Sequence, residues 1–135
     1  MTRKNELIPI KKSITLDLIK DYAEASGDFN PIHIDKEFGL KSQFKNNIAH
    51  GMMIASSISE LMYKNFGENW SKNGKMKIKF KLPIFPNDEI TTEGTIKKTE
   101  EVSQGTLIKC NITVKNHHDQ IAISGETAVT ITNGE

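Results

Sequence analysis

The hydrophobic pattern changes period partway along the chain. Before about Gly67, apolar residues recur at helical spacing between short polar stretches; after about Lys75 they alternate every second residue, as strands do. Leu7-Ile8-Pro9-Ile10 predicts a short edge strand, where proline is tolerated. A helix follows, capped by Ser13 or Thr15, with Leu18, Ile19, Tyr22 and Ala23 on one face and Ser26-Gly27 at its end. Asn30 precedes Pro31 and is biased away from the helical region, so Asp28 to Asp35 reads as an ordered loop; Asp35 then caps a short helix through Phe38 and Leu40. The segment from Ile48 to Ala55 opens a longer helix that continues through Ser56, Ile58, Leu61 and Met62 and stops near Gly67. That helix is apolar over much of its circumference, as expected of one buried on most sides.

Strands are expected at Lys75 to Ile84, Glu89 to Lys97, Gly105 to Lys115 and Gln120 to Thr130. The first places Met76, Ile78, Phe80, Leu82 and Ile84 on one face and Lys77, Lys79 and Lys81 on the other. Pro86-Asn87-Asp88 predicts a turn, and Asn116 to Asp119 a hairpin connection. One buried helix with several long antiparallel strands predicts an α+β architecture, a curved sheet wrapped around a helix. The 135 residues fit a single domain, 1–135, long enough to bury a core without disulfide or metal support.

Composition narrows the function classes. With 18 basic against 17 acidic residues the net charge is +1, which argues against nucleic-acid binding driven by bulk charge. Arg3 is the only arginine, so a bidentate guanidinium clamp is not expected at the centre of the chemistry. Cys110 is the only cysteine and sits in an alternating, strand-like stretch, where a buried small hydrophobe is the expectation. The N-terminal residues lack a signal-peptide pattern and no apolar run reaches the ~20 residues of a membrane span; a cytoplasmic protein without membrane contact is expected.

Candidate chemistry clusters in the first half. Asp28 and His33 lie on one stretch of loop, a carboxylate and an imidazole able to converge on one water. Spacing alone leaves a second reading open, in which Asp28 caps a turn and His33 is a satisfied polar group. Ala49-His50-Gly51 stands at the start of the apolar helix, where first-turn N–H groups and the helix dipole favour developing negative charge. Plain packing of a buried helix explains the same glycine. Metal binding by Asp28, His33 and Asp35 fits no compact zinc or calcium pattern, so no metal is expected. His117-His118 reads as solvated turn; the three lysines read as a solvated face, with attraction of a nucleotide phosphate as the alternative.

The stretch Tyr22-Ala23-Glu24-Ala25-Ser26-Gly27-Asp28-Phe29-Asn30-Pro31-Ile32-His33 resembles the signature of the MaoC-like, R-specific enoyl-CoA hydratases. Phe44 to Met52 is similar to that family's second landmark and Phe80 to Asp88 to a third, in family order across nearly the whole chain. The resemblance implies a hot-dog fold and a homodimer that binds an acyl thioester near the subunit interface. It implies Asp28 and His33 as the catalytic pair, the Gly51 backbone N–H as donor to the thioester carbonyl, Ser59 as a supporting serine and Asn30 as a shaper of the loop. The expected reaction is hydration of a trans-enoyl thioester to the (R)-3-hydroxyacyl thioester, and the reverse. No cofactor is implied, because CoA or a carrier-protein pantetheine belongs to the substrate. Two rivals share the wrapped helix: a hot-dog thioesterase, whose carboxylate would sit on the helix, where Glu60 is the early acidic residue, and a non-catalytic acyl-thioester binding module. The sequence departs from the family's usual pattern at Gly39, where alanine or serine is common, at Lys45-Asn46-Asn47, and at Asn87, where glycine is common.

Overall fold

The computed structural model describes residues 5–133; Arg3 lies outside them. Strand β1 (Ile10–Ile14) leads into α1 (Leu16–Ser26), then two short helices, α2 (Pro31–Ile34) and α3 (Lys36–Lys41), then the long α4 (Gly51–Phe66) and the short α5 (Glu68–Asn73). The remaining strands are β2 (Lys75–Phe80), β3 (Asp88–Val102), β4 (Gly105–Lys115) and β5 (Ile121–Thr132). All five strands form one antiparallel sheet in the order β1-β3-β4-β5-β2. Ile54, Ala55, Ile58, Leu61 and Met62 of α4 are buried against Ile90, Ile112, Val114, Ile123 and Val129 of the sheet. This is the hot-dog arrangement expected from the sequence. Each fully buried Ile or Leu removes enough apolar surface from water to contribute about 1.5–3 kcal/mol.

Two buried polar pairs are matched rather than stranded. Ser57 on α4 shares a 2.7 Å hydrogen bond with Thr92 on β3, and the Thr127 hydroxyl donates to Met62 Sδ at 3.2 Å. Both lie inside the helix–sheet interface, where an unmatched hydroxyl would be costly.

Several expectations shift. The first strand begins at Ile10 rather than Leu7; Leu7 makes one backbone bond, to the Gly94 carbonyl at 2.9 Å, and Pro9 has no N–H to continue the ladder. Ser13 consequently lies within β1, and Thr15 caps α1, accepting from Leu18 N–H. Pro31 to Ile34 forms one helical turn instead of loop: Asn30 (φ −54°, ψ 128°) stays outside the helical region, as its following proline favours, while Pro31 supplies the fixed φ of a first helical position. The long helix starts at Gly51, not Ile48. Strand β2 ends at Phe80, four residues early: Lys81 and Leu82 both turn their N–H groups to the Ala122 carbonyl, and Pro83 follows. Of the apolar face expected there, Ile84 is buried and Ile78 packs on the core, while Phe80 and Leu82 are 53% and 42% exposed at the β2 edge of the sheet.

Candidate active site

Helix α1 delivers Asp28. Gly27 ends that helix in the left-handed conformation (φ 79°), with its N–H on the Ala23 carbonyl, and so turns the chain sharply into the Asp28 loop. Local bonds then fix the loop residue by residue. Asp28 N–H donates to Ser26 Oγ, Asn30 N–H to Asp28 Oδ1, and Ile32 N–H to Asn30 Oδ1, each at 3.1 Å. Asn30 therefore acts as the cap of α2, the loop-shaping part assigned to it from the sequence.

Helix α2 carries His33 back toward Asp28. The His33 Nδ1 lies 2.8 Å from the Ile48 carbonyl. A carbonyl only accepts, so Nδ1 carries the hydrogen and Nε2 of the neutral ring is a bare acceptor. That Nε2 lies 4.0 Å from Asp28 Oδ2; the His33 side chain is 12% exposed and that of Asp28 52%. The two groups of the sequence motif are thus brought together at the protein surface, the carboxylate wet and the ring largely enclosed.

Gly51 starts α4, with His50 at the cap position and no side chain capping the first-turn N–H groups. Those donors and the positive end of the helix dipole are left to a ligand. A Cβ on Gly51 would stand 3.1 Å from the Phe80 ring, so this approach is open only to glycine or a displaced Phe80. His33, Ile48, Gly51, Ile54, Phe80 and Pro83 line one open cleft of about 340 Å³. A larger concavity of about 580 Å³ beside Leu7, Pro9 and β3 lies apart from these groups and contains no histidine. Ser59 is half-buried and lines a different cleft, beside Tyr63 and Trp70, so within one chain it does not join the pair. Glu60 pairs with Lys12 on β1 rather than facing His33.

One member of the cluster, named from the sequence only within the Ala49-His50-Gly51 turn, has no role of its own there. His50 is 2% exposed and stacks on His33, with ring centroids 3.8 Å apart and planes at 27°. Its Nε2 lies 2.9 Å from the Asp28 backbone carbonyl, and Tyr22 packs against its ring at 4.8 Å. Its place beside Gly51 in the second landmark was the available signal; the contact with a residue 22 positions earlier was not visible in one dimension. One ligand atom from each of Asp28, His33 and His50 falls within 4.8 Å of the others. Donors about 2.1 Å from a first-row ion stand roughly 3.5 Å apart, so the cluster is wide for one.

Two of the departures noted in the sequence prove to be one adaptation. Asn47 donates to the carbonyls of Ile32 and Asp35, at 3.0 and 2.8 Å, and so ties α2 to the chain entering α4. A Cβ on Gly39 would stand 2.6 Å from Asn47 Nδ2 and 2.7 Å from its backbone N. Glycine at 39 makes room for this asparagine. Asn87 adopts φ 73°, which asparagine tolerates best after glycine. Cys110 is buried in the sheet; loss of solvent pushes its thiol above the ordinary range, against a smaller opposing interaction with the Thr127 side chain.

Residues 4–120 match the family described as MaoC like domain. The chain is 32% identical over 108 residues to an (R)-specific enoyl-CoA hydratase of Aeromonas caviae, covering 80% of this chain and 79% of that protein. It is 29% identical over 116 residues to a mitochondrial 3-hydroxyacyl-[acyl-carrier-protein] dehydratase of Arabidopsis thaliana, covering 85% and 69%. Among solved structures, the (R)-hydratase from A. caviae involved in PHA biosynthesis superposes with a TM-score of 0.83 at 26% identity, over 96% of this chain and 97% of that one. With its hot-dog sheet, its Asp28–His33 pair and its glycine-led central helix, the chain belongs to the MaoC-like family.

Proposed function

We propose that this protein hydrates trans-enoyl thioesters to (R)-3-hydroxyacyl thioesters, and runs the reverse dehydration, with Asp28 and His33 as its acid/base pair. The observation that carries the reading is the 4.0 Å gap between His33 Nε2 and Asp28 Oδ2, with His33 lining the same cleft as the uncapped start of α4. The two hydrogens of one water reach acceptors roughly 4.4 Å apart at ordinary hydrogen-bond lengths, so a single water can bridge them. The Gly51 N–H holds the thioester carbonyl. As the water oxygen bonds to the β carbon, its proton passes to the pair and the double-bond electrons move onto the carbonyl oxygen as an enolate. That developing charge is stabilised by the fixed donor and the helix dipole. The pair then returns a proton to the α carbon. The R configuration and the hydratase and dehydratase activities are supported by the names of the relatives that align over most of this chain.

The reaction so written needs no resident metal or redox group, since CoA or a carrier pantetheine arrives with the substrate. Which of the two carriers serves is open to both kinds of relative. The protein acts as a homodimer in this reading. Support comes from the open edge at β2 and from exposed apolar Met52, Tyr63, Met76 and Phe80. No helix among the described residues is long and apolar enough to cross a membrane. Cytoplasmic residence belongs to the same proposal and fits a chain with one cysteine, hence no intrachain disulfide.

The test is incubation with crotonyl-CoA, following the enoyl-thioester absorbance and free thiol together. Loss of absorbance without thiol release is expected. Thiol release would mean hydrolysis and would remove the Asp28 loop from its assigned part.

A further inference from the structure

We infer that His50 is a positioning residue that sets the catalytic pair through the Asp28 backbone; the inference rests on the hydration reading above. Four observations meet on this ring. It is buried (2% exposed) at a polar surface site where its neighbours are partly wet. Its Nε2 faces the Asp28 carbonyl at 2.9 Å. It stacks on the His33 ring at 3.8 Å. Its Nδ1 is buried with no hydrogen-bond partner among the described residues.

The first three together define what the ring does. The Asp28 carbonyl accepts only, so Nε2 must carry the hydrogen and His50 is held as the Nε2–H tautomer. Asp28 is otherwise placed by bonds to residues two positions away, all on the same exposed stretch. The His50 bond is the long-range tie, joining that stretch to the cap of the buried α4. Through it the carboxylate is referenced to the same helix end that presents Gly51. The bare Nδ1 is the cost of the arrangement. A buried acceptor without a partner is unfavourable, so a residue retained purely for packing would be better replaced by an apolar ring. A histidine is explained when the Nε2–H donor is the part needed.

Two substitutions separate donor from ring. His50→Phe keeps an aromatic face against His33 and leaves the Asp28 carbonyl unpaired. His50→Gln places an amide N–H near the Nε2 position and discards the ring. His50→Phe is expected to lower kcat roughly 30- to 100-fold with KM within about threefold, because misplacing a reacting group by around 1 Å costs on that order. His50→Gln is expected to hold kcat within about fivefold of wild type. The inference is overturned by a His50→Phe protein with near wild-type kcat, by His50→Gln falling as far as His50→Phe, or by a loss that appears in KM alone. Should His50→Phe fail to fold, the wild-type protein still decides: long-range ¹H–¹⁵N NMR of the imidazoles is expected to show a hydrogen on His50 Nε2, and an Nδ1–H tautomer sinks the proposal. The NMR arm needs no substrate, so absence of hydration would reject the reaction assigned above without deciding the His50 tie.

Discussion

Between β3 and β5, inward side chains such as Ile90, Ile112, Val114 and Val129 are at most 1% exposed, and each strand's position is set by the register of the next. Between Asp28 and Gly51 most residues are exposed, and the functional side chains are held by single hydrogen bonds to carbonyls and loop amides. The sheet is a cooperative object in which many weak contacts share the load. The site is a chain of individual ties, each replaceable and each able to move one functional atom. Substitutions in the loop should therefore change the rate with little change in stability, and substitutions in the sheet and α4 the reverse.

The largest expected effect sits in the loop. Asp28→Asn keeps an oxygen to accept from Asn30 N–H but removes the charge that takes the water's proton. Turnover should fall ~10²–10⁴-fold, with thermal melting moved by less than about 2 °C because the side chain is half in solvent. His33→Ala should do the same to turnover. A melting temperature lowered along with the rate would merge the two regions and count against the contrast. Leu61→Ala is the reciprocal experiment. It empties a fully buried site on α4 and should cost about 2–5 kcal/mol in urea unfolding, while protein that remains folded turns over within about twofold of wild type.

Gly39→Ala probes an exception inside the site region, a buried position where stability rather than rate should respond. Its Cβ would press on backbone atoms of Asn46 and Asn47, so about 1–3 kcal/mol of destabilisation is expected by the same assay. Restoring stability by adding Asn47→Ala is expected only in part, since the backbone contacts remain. Thr15→Ala removes the side-chain cap of α1 and should cost about 1 kcal/mol without changing kcat. The smallest intervention is a labelling one. Cys110 is buried and its thiol is held protonated above the usual range, so at pH 8 a thiol reagent should react at least roughly tenfold more slowly with native than with unfolded protein. Rapid native labelling would mean that the sheet opens far more easily than its burial implies.

Much of the fold was legible because period is a local property. The alternation over Gly105 to Lys115 predicts β4 with its observed bounds. The apolar pattern from Ile48 through Met62 predicts the buried helix, though three residues early at its start, and Gly67 its end. Where the reading slipped, a distant partner decided. Strand β2 stops at Phe80 because the next two N–H groups, of Lys81 and Leu82, find one carbonyl on β5, and Met76 and Phe80 stay exposed because nothing among the described residues covers them. Helix α5 gave no usable signal, being six residues of mixed polarity; Asn69 and Asn73 secure it to the backbone of β5.

For the site the division is similar. The sequence by itself determined the chemical types, their order and the local turns, because capping, proline geometry and left-handed glycine act within a few residues of chain. It thereby placed a carboxylate, an imidazole and an uncapped helix start in one molecule. Only the tertiary structure decided that Nε2 rather than Nδ1 of His33 faces Asp28, that Ser59 opens on a different cleft, and that Gly39 yields its space to Asn47. Only there does His50 reach across to the Asp28 carbonyl. Hydrogen-bond direction and ring tautomer depend on which carbonyl lies at about 3 Å, and that distance is set by how helix and sheet pack, not by neighbours in sequence.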